Sequence, residues 1–304
     1  MTLSDESPGP VLPFGTPIFE ERAFLLPEGP SIVIGDLHVG LEGELRRAGI
    51  HLPSQTFRMK QRIERLVEAT GAKRLIIIGD LKHTIPTSSF QEALELARFF
   101  DGLPLQVDLV KGNHDVDMGY LPPHVTVHDG PGIRVGHVGL LHGHTWPAPE
   151  VMAAPVVLSC HNHPMVLLLD ALGHRHKEPA WVRAKFSDRI REKYPEANPE
   201  ARFVVMPAFN DLLGGVAFNA VEGSELLGPL FGNGMVDVGS ARLYTLDGVD
   251  LGTLQDLKSF GDAVEKPKRR GRRGKTVGES RWERTRGLRN GRGRRPKGGA
   301  GPDG

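Results

Sequence analysis

Three polar side chains in a row, Asn113, His114 and Asp115, follow an apolar stretch that ends at Lys111-Gly112. An Asn amide oxygen can ligate a metal, an imidazole can carry a proton, and a neighbouring carboxylate can hold that imidazole in one orientation. Glycine lets the chain turn tightly where a strand ends. Taken alone, the segment also reads as a turn in which Asn and Asp only cap. The design recurs, however. Residues 31–35 (SIVIG) run into Asp36-Leu37-His38, and residues 74–79 (RLIIIG) end at Asp80, with Lys82 and His83 just beyond. Residues 137–141 lead into His142-Gly143-His144, and residues 154–159 lead into Cys160-His161-Asn162-His163. Asp36 and His38 are two apart, so on an extended backbone both project from one side.

The carboxyl ends of neighbouring strands in an open α/β sheet share one crevice. Asp36, His38, Asp80, Asn113, His142, His161 and His163 together offer too many oxygen and nitrogen donors for one ion, and suit two divalent ions sharing a carboxylate. Imidazole, carboxylate and amide donors without thiolate favour manganese, with iron or zinc as alternatives, over calcium or magnesium. Two ions roughly 3.5–4 Å apart generate hydroxide at neutral pH and clamp both oxygens of an in-line phosphoryl displacement. His114 is then placed to protonate the leaving group, with Asp115 orienting it. Lys82, His83 and His144 are candidates for substrate contact. His51, His124, His128, His137, His174 and His176 follow no strand-end pattern and read as structural or exposed.

The elements that must position these residues are legible in outline. A short strand is expected within 17–26, then helices near 42–48 and over 54–70, the second with Phe57, Ile63, Leu66 and Val67 inward and Gly71 at its C-cap. Ser88 or Ser89 caps a further helix with Phe90, Leu94, Ala97 and Phe100 on its buried face. Residues 166–170 and 181–186 read as a hairpin around Gly173, and 187–201 as a charged helical excursion. Segments 202–206, 215–221 and 235–246 close the body as β structure.

The 304 residues suit one large domain or two small ones, and 39% hydrophobic content supports a sizeable core. A single cysteine, Cys160, excludes a disulfide framework. No apolar run reaches the roughly 18 residues of a membrane span, and residues 1–30 lack a signal-peptide layout, so the chain reads as cytoplasmic, with no membrane partner. The net charge of +1 conceals an asymmetry: residues 265–304 hold 15 Lys and Arg against 4 Asp and Glu, leaving 23 basic and 33 acidic residues in 1–264. The chain therefore divides into a body, 1–264, and an Arg/Gly-rich tail, 265–304, too poor in apolar residues to fold alone and expected to be disordered. Such segments bind nucleic-acid backbones by charge and flexibility, the competing reading being a solubilising or self-associating tail.

At the quoted residues the chain resembles the calcineurin-like metallophosphoesterase superfamily, whose pattern is D-x-H, GD, GNH[DE], a lone H and GH-x-H. Here the pattern reads Asp36-Leu37-His38, Gly79-Asp80, Gly112-Asn113-His114-Asp115, His142 and Cys160-His161-Asn162-His163. GDLKH at 79–83, HGHTWP at 142–147 and MPAFNDLLGG at 206–215 look most like the SbcD-related archaeal phosphoesterases, a nuclease-related and DNA-repair branch. The resemblance implies two packed mixed β-sheets flanked by helices, a four-layer sandwich. It implies Asp36, His38 and His163 on one ion, Asn113, His142 and His161 on the other, and Asp80 bridging. Cys160 stands where glycine is usual, and Lys82-His83 extends the second motif. The leading expectation is a metal-dependent phosphodiesterase acting on nucleic acid or nucleotides. The alternatives are a small-molecule phosphomonoesterase, or a nucleic-acid-binding protein with a structural metal site.

Overall fold

The computed structural model describes residues 14–258 except Glu28, Ala171 and Pro199, so the expectations for the tail at 265–304 lie outside the described residues. Strands β1 (Thr16–Ile18), β2 (Ala23–Leu26), β3 (Ser31–Ile34), β4 (Arg74–Ile78), β5 (Gln106–Val110) and β6 (Val125–His128) lie side by side in that order. The pairs from β1 to β3 are antiparallel and those from β3 to β6 parallel. Helices α1 (Leu41–Arg47) and α2 (Thr56–Thr70) connect β3 to β4, and α3 (Phe90–Phe100) connects β4 to β5. Strands buried on both faces read as continuous apolar runs. Ile32, Ile34, Leu75, Ile77, Val107 and Leu109 pack with Met59, Ile63, Leu66, Leu96 and Phe99 of the helices. Their neighbours Val33, Ile76, Ile78 and Val110 face the other way, into a core shared with the second sheet.

The second half supplies β7 (Ile133–Val135), β8 (Val138–Leu140), β9 (Val156–Ser159), β10 (Pro164–Leu169), β11 (Arg175–Pro179), β12 (Trp181–Phe186), β13 (Arg202–Val205), β14 (Val216–Ala217), β15 (Val236–Tyr244) and β16 (Asp250–Thr253). Among the described residues, a mixed sheet runs β16-β15-β12-β13-β9-β8-β7, and a small one runs β11-β10-β14. Leu140, Leu158, Trp181, Val204 and Met206 close the inter-sheet core against Phe24, Val33 and Ile78. The far face of the second sheet packs on α4 (Pro149–Met152), α5 (Ile190–Lys193) and α6 (Pro229–Gly232) through Val151, Ile190, Leu230 and Phe231. The fold is thus α/β, with two packed mixed sheets flanked by helices. No helix among the described residues is long and apolar enough to cross a membrane.

Several local expectations are corrected. In α2, Phe57 is exposed. In α3 the inward face carries Glu92, Glu95, Leu96, Phe99 and Phe100, while Phe90, Leu94 and Ala97 point out. Carboxylates can occupy that face because they are hydrogen-bonded: Ser54 Oγ donates to Glu95 at 2.6 Å, and the His83 and Thr84 N–H groups donate to Glu92 at 2.9 and 2.8 Å. The partner of β10 is the charged β11, not 181–186, which crosses into the second sheet as β12. Charge on an edge strand hides its period from a hydrophobic reading and blunts the edge against further pairing. Of 187–201 only α5 is α-helical, and Pro195 follows its C-cap. Residues 215–221 form the short β14 and a 3-10 turn, Phe218–Ala220.

Candidate metal centre

The candidate ligands sit just past the carboxyl ends of β3, β4, β5, β8 and β9, and five of them are not on extended backbone. Asp36, His38, Asp80, His161 and His163 have φ of 56°, 44°, 50°, 71° and 41°. The convergence of Asp36 and His38 therefore comes from left-handed turns, not from strand alternation. Such positions cost roughly 1–3 kcal/mol each and persist only where neighbours over-determine them. Here they do. Asp36 N donates to Gly79 O at 3.1 Å, Leu37 N and His38 N to Asp80 O at 3.0 and 2.8 Å, and Val39 N to Leu81 O at 2.8 Å. From the other side Phe209 N donates to Gly35 O at 2.9 Å, and buried Asn210 Nδ2 to Leu37 O at 2.8 Å. Gly112 is required by close approach: a Cβ there would lie 2.1 Å from Asp80 Oδ1.

The turns bring the side chains into two adjoining clusters. Potential ligand atoms of Asp36, His38 and His163 lie within 4.8 Å of one another, as do those of Asp80, His142 and His161. Asp80 Oδ2 is 3.3 Å from both His38 Nε2 and His142 Nε2, so one carboxylate faces both clusters. Asn113 Oδ1 stands 3.1 Å from His142 Nε2. Asp36 Oδ1, His38 Nε2 and His163 Nε2 are buried with no hydrogen-bond partner, yet His163 Nε2 and Asp36 Oδ1 are only 3.4 Å apart. Buried polar atoms of native proteins are satisfied, so converging orphans of this donor type fit a cation.

Charge is concentrated here. Burial pushes the carboxyl groups up, but neighbouring imidazoles prevail, His163 and His142 at Asp36, and His142 and His38 at Asp80, so both are held below the usual carboxylate range. Burial opposes charge on His142 as well, yet Asp80 and Asp36 raise it to about 9. His161 and His144 go to about 4 through burial and the neighbouring His142 charge. Coordination needs a deprotonated nitrogen, so ion binding competes with the proton on His142.

The remaining sequence candidates divide. His114 Nδ1 donates to His83 O at 2.5 Å, which leaves Nε2 facing Asp80 Oδ2 at 3.9 Å. Asp115 does not orient it. Its carboxylate accepts Gly112 N at 2.9 Å and Lys82 N at 3.2 Å, bracing the loop instead. Lys82 is corrected too: it is 0% exposed, and its ammonium is consumed by the carbonyls of Thr84 and Pro86. The His83 ring contacts His38 and Glu44, with Nδ1 to Nδ1 at 3.1 Å and Nε2 to Glu44 Oε2 at 2.7 Å. His144 lies beside His142 and His161, with ring centroids 5.3 and 6.2 Å away. It also lines a cavity of about 630 Å³ with Lys111, Gly112 and Met118. Cys160 is buried, and its thiol donates to Ile78 O at 2.7 Å. Burial and the Asp36 and Asp80 charges push that thiol well up, which disfavours the thiolate. Sequence reasoning missed Glu44, Asn210 and Gly214, whose carbonyl accepts His163 Nδ1 at 3.1 Å. For Asn210 and Gly214 the only signal was their place in the motif at 206–215; Glu44 carried none.

Comparison with known proteins gives a family match: the model of the calcineurin-like phosphoesterase family matches residues 29–205. No curated protein matches. Among solved structures, the nuclease MPE of Pseudomonas putida is 22% identical, with a TM-score of 0.47, covering 77% of this chain and 92% of that one. The phosphoesterase Yfce of E. coli is 20% identical, with a TM-score of 0.30, covering 46% and 74%.

Proposed function

Because the chain belongs to the calcineurin-like phosphoesterase family, with ligand clusters suited to metal-dependent phosphoester hydrolysis, we propose that it is a dinuclear phosphodiesterase acting on nucleic acid or nucleotides. Asp36, His38 and His163 hold one ion, and Asn113, His142 and His161 hold the other. Asp80 serves both. The observation that carries this reading is the trio of buried, converging atoms that make no hydrogen bond, Asp36 Oδ1, His38 Nε2 and His163 Nε2. When bound, such ions supply Lewis acidity and an activated water at neutral pH; the donor set favours manganese.

The chain's own residues supply position and a proton. His83 O fixes the His114 ring through Nδ1, so Nε2 is the atom that hands a proton to the departing oxygen. Asp115 holds the turn that carries His114, through Gly112 N and Lys82 N. Nucleic acid as substrate is supported by the excess of Lys and Arg over 265–304. The placement near SbcD-related archaeal enzymes rests on the motifs at 79–83, 142–147 and 206–215. A lone buried cysteine accords with a cytoplasmic, reducing compartment.

The test is hydrolysis by the metal-reconstituted full chain of single-stranded DNA, RNA, cyclic nucleotides, an aryl phosphodiester and an aryl phosphomonoester. Diester cleavage is expected to dominate. Faster turnover of the monoester than of every diester would replace this reading with the phosphomonoesterase one. Removing 265–304 should weaken nucleic-acid binding and flatten its salt dependence while sparing the aryl diester.

A further inference from the structure

The clustered imidazoles differ in what holds the ring nitrogen facing away from the cluster. His142 and His163 donate Nδ1–H to the carbonyls of Ile78 and Gly214, both at 3.1 Å. A carbonyl only accepts, so Nε2 keeps its lone pair for a cation. At His38 the corresponding partner is another imidazole, His83, with the two Nδ1 atoms 3.1 Å apart. Either ring nitrogen can donate or accept. If His83 donates, His38 must carry its hydrogen on Nε2, and the atom aimed at the cluster has no lone pair to offer. If His38 donates, Nε2 is a ligand.

Asp80 Oδ2 lies 3.3 Å from His38 Nε2 but makes no hydrogen bond with it, so it does not hold a hydrogen there. The choice is made one step further out, on the other side of the ring. His83 Nε2 lies 2.7 Å from Glu44 Oε2, and a carboxylate only accepts. In a neutral His83 ring that contact keeps the one hydrogen on Nε2, leaves Nδ1 as the acceptor, and draws the His38 hydrogen to Nδ1. We propose that Glu44 and His83 form a relay that sets the tautomer of His38, making both of them positioning residues for the ion held by Asp36, His38 and His163. The inference rests on the dinuclear reading above. Side-chain exposure falls from 63% at Glu44 through 14% at His83 to 4% at His38, so a solvent-facing carboxylate governs a buried ligand. His83 is itself clamped, its N–H on Glu92 Oε1 at 2.9 Å and its carbonyl on His114 Nδ1 at 2.5 Å. One residue thereby orients a ligand with its ring and the proton carrier with its main chain.

The tautomers are read in long-range proton–nitrogen correlation spectra of the labelled full chain without metal, and binding is read by titration with manganese(II) alone. The wild type should show His83 hydrogenated on Nε2 and His38 on Nδ1. Glu44→Ala, at the surface, should mix the His38 tautomers and weaken one manganese site by about 10- to 100-fold, leaving the other unchanged. Glu44→Gln, whose amide oxygen still accepts from His83, should keep the wild-type tautomers and lose far less. Unchanged tautomers and affinities in Glu44→Ala, or His38 hydrogenated on Nε2 in the wild type, would overturn the relay. Equal weakening of both manganese sites would overturn its assignment to one ion. Expected tautomers in a wild type that binds no manganese would uphold the relay and overturn the dinuclear reading instead.

Discussion

Asp80 Oδ2 stands 3.3 Å from His142 Nε2, and that same oxygen is equally close to His38 Nε2 in the neighbouring cluster. A carboxylate facing two clusters cannot be removed from one alone. Asp80→Ala is therefore expected to lose both ions, whereas Asn113→Ala chiefly empties the site of His142 and His161. Elemental analysis of the purified variants checks this; two ions retained in Asp80→Ala would exclude the shared carboxylate.

His114 is adjacent to that carboxylate but turned by its own anchor, the His83 carbonyl. His114→Ala should keep both metals and lose about 10²–10⁴-fold in rate on an alkyl or nucleotide ester, which needs a proton to depart. An aryl ester with a stable phenolate should lose little. Asp115→Asn should leave the ratio between the two substrates unchanged, because Asp115 braces Gly112 and Lys82 and not the His114 ring. Steady-state rates on both substrates decide between these outcomes, and equal losses in His114→Ala would remove the acid role.

The segment 206–215 reaches the same cluster from behind. Asn210 donates to Leu37 O, Gly214 O accepts His163 Nδ1, and a Cβ on Gly215 would fall 1.8 Å from His163 O. Asn210→Ala should cost roughly 1–3 kcal/mol by leaving Leu37 O unsatisfied. Gly215→Ala should displace His163. Both should weaken one ion more than the other in a metal titration, with denaturant unfolding measured alongside.

The strand ends and the polar residues that follow them were legible because buried parallel strands leave long apolar runs that stop abruptly at polar residues, whereas the two-sheet architecture was an expectation of the family resemblance alone. What was not legible depended on partners distant in sequence. Lys82 reads as a loop cation until its ammonium is found among the Thr84 and Pro86 carbonyls. Asp115 reads as the partner of its neighbour His114 until its carboxylate is found on Gly112 N and Lys82 N. The inward face of α3 was misjudged because Glu92 and Glu95 are buried with hydrogen bonds that no periodicity reveals. The left-handed turns at Asp36 and His38 are imposed by Asp80 and Leu81 carbonyls across the crevice and by Asn210, more than 170 residues away.

Away from the centre, Asp108 accepts from Arg74 Nε and from His128 Nε2, both at 2.6 Å, linking three adjacent parallel strands. Burial raises the Asp108 carboxyl, but Arg74 and His128 outweigh it and hold it below its ordinary value. A lowered folded pKa gives stability that is complete above the unfolded value of about 3.9 and fades as pH falls through the folded one. Asp108→Asn should cost about 1 kcal/mol at neutral pH, the solvent-screened end of the range, or roughly 2–4 °C in Tm. Thermal melts of both proteins should converge as pH falls below the ordinary carboxylate range.

The central claim is that two ions sharing Asp80 support phosphodiester hydrolysis. Its most direct measurement is turnover of an aryl phosphodiester by the metal-stripped full chain as manganese(II) is added in counted equivalents, with bound metal determined at each step. Turnover should rise until two ions are bound per chain and then level off, and Asp80→Ala should stay flat throughout. Turnover that saturates at one bound ion, or that proceeds undiminished in Asp80→Ala, would contradict it.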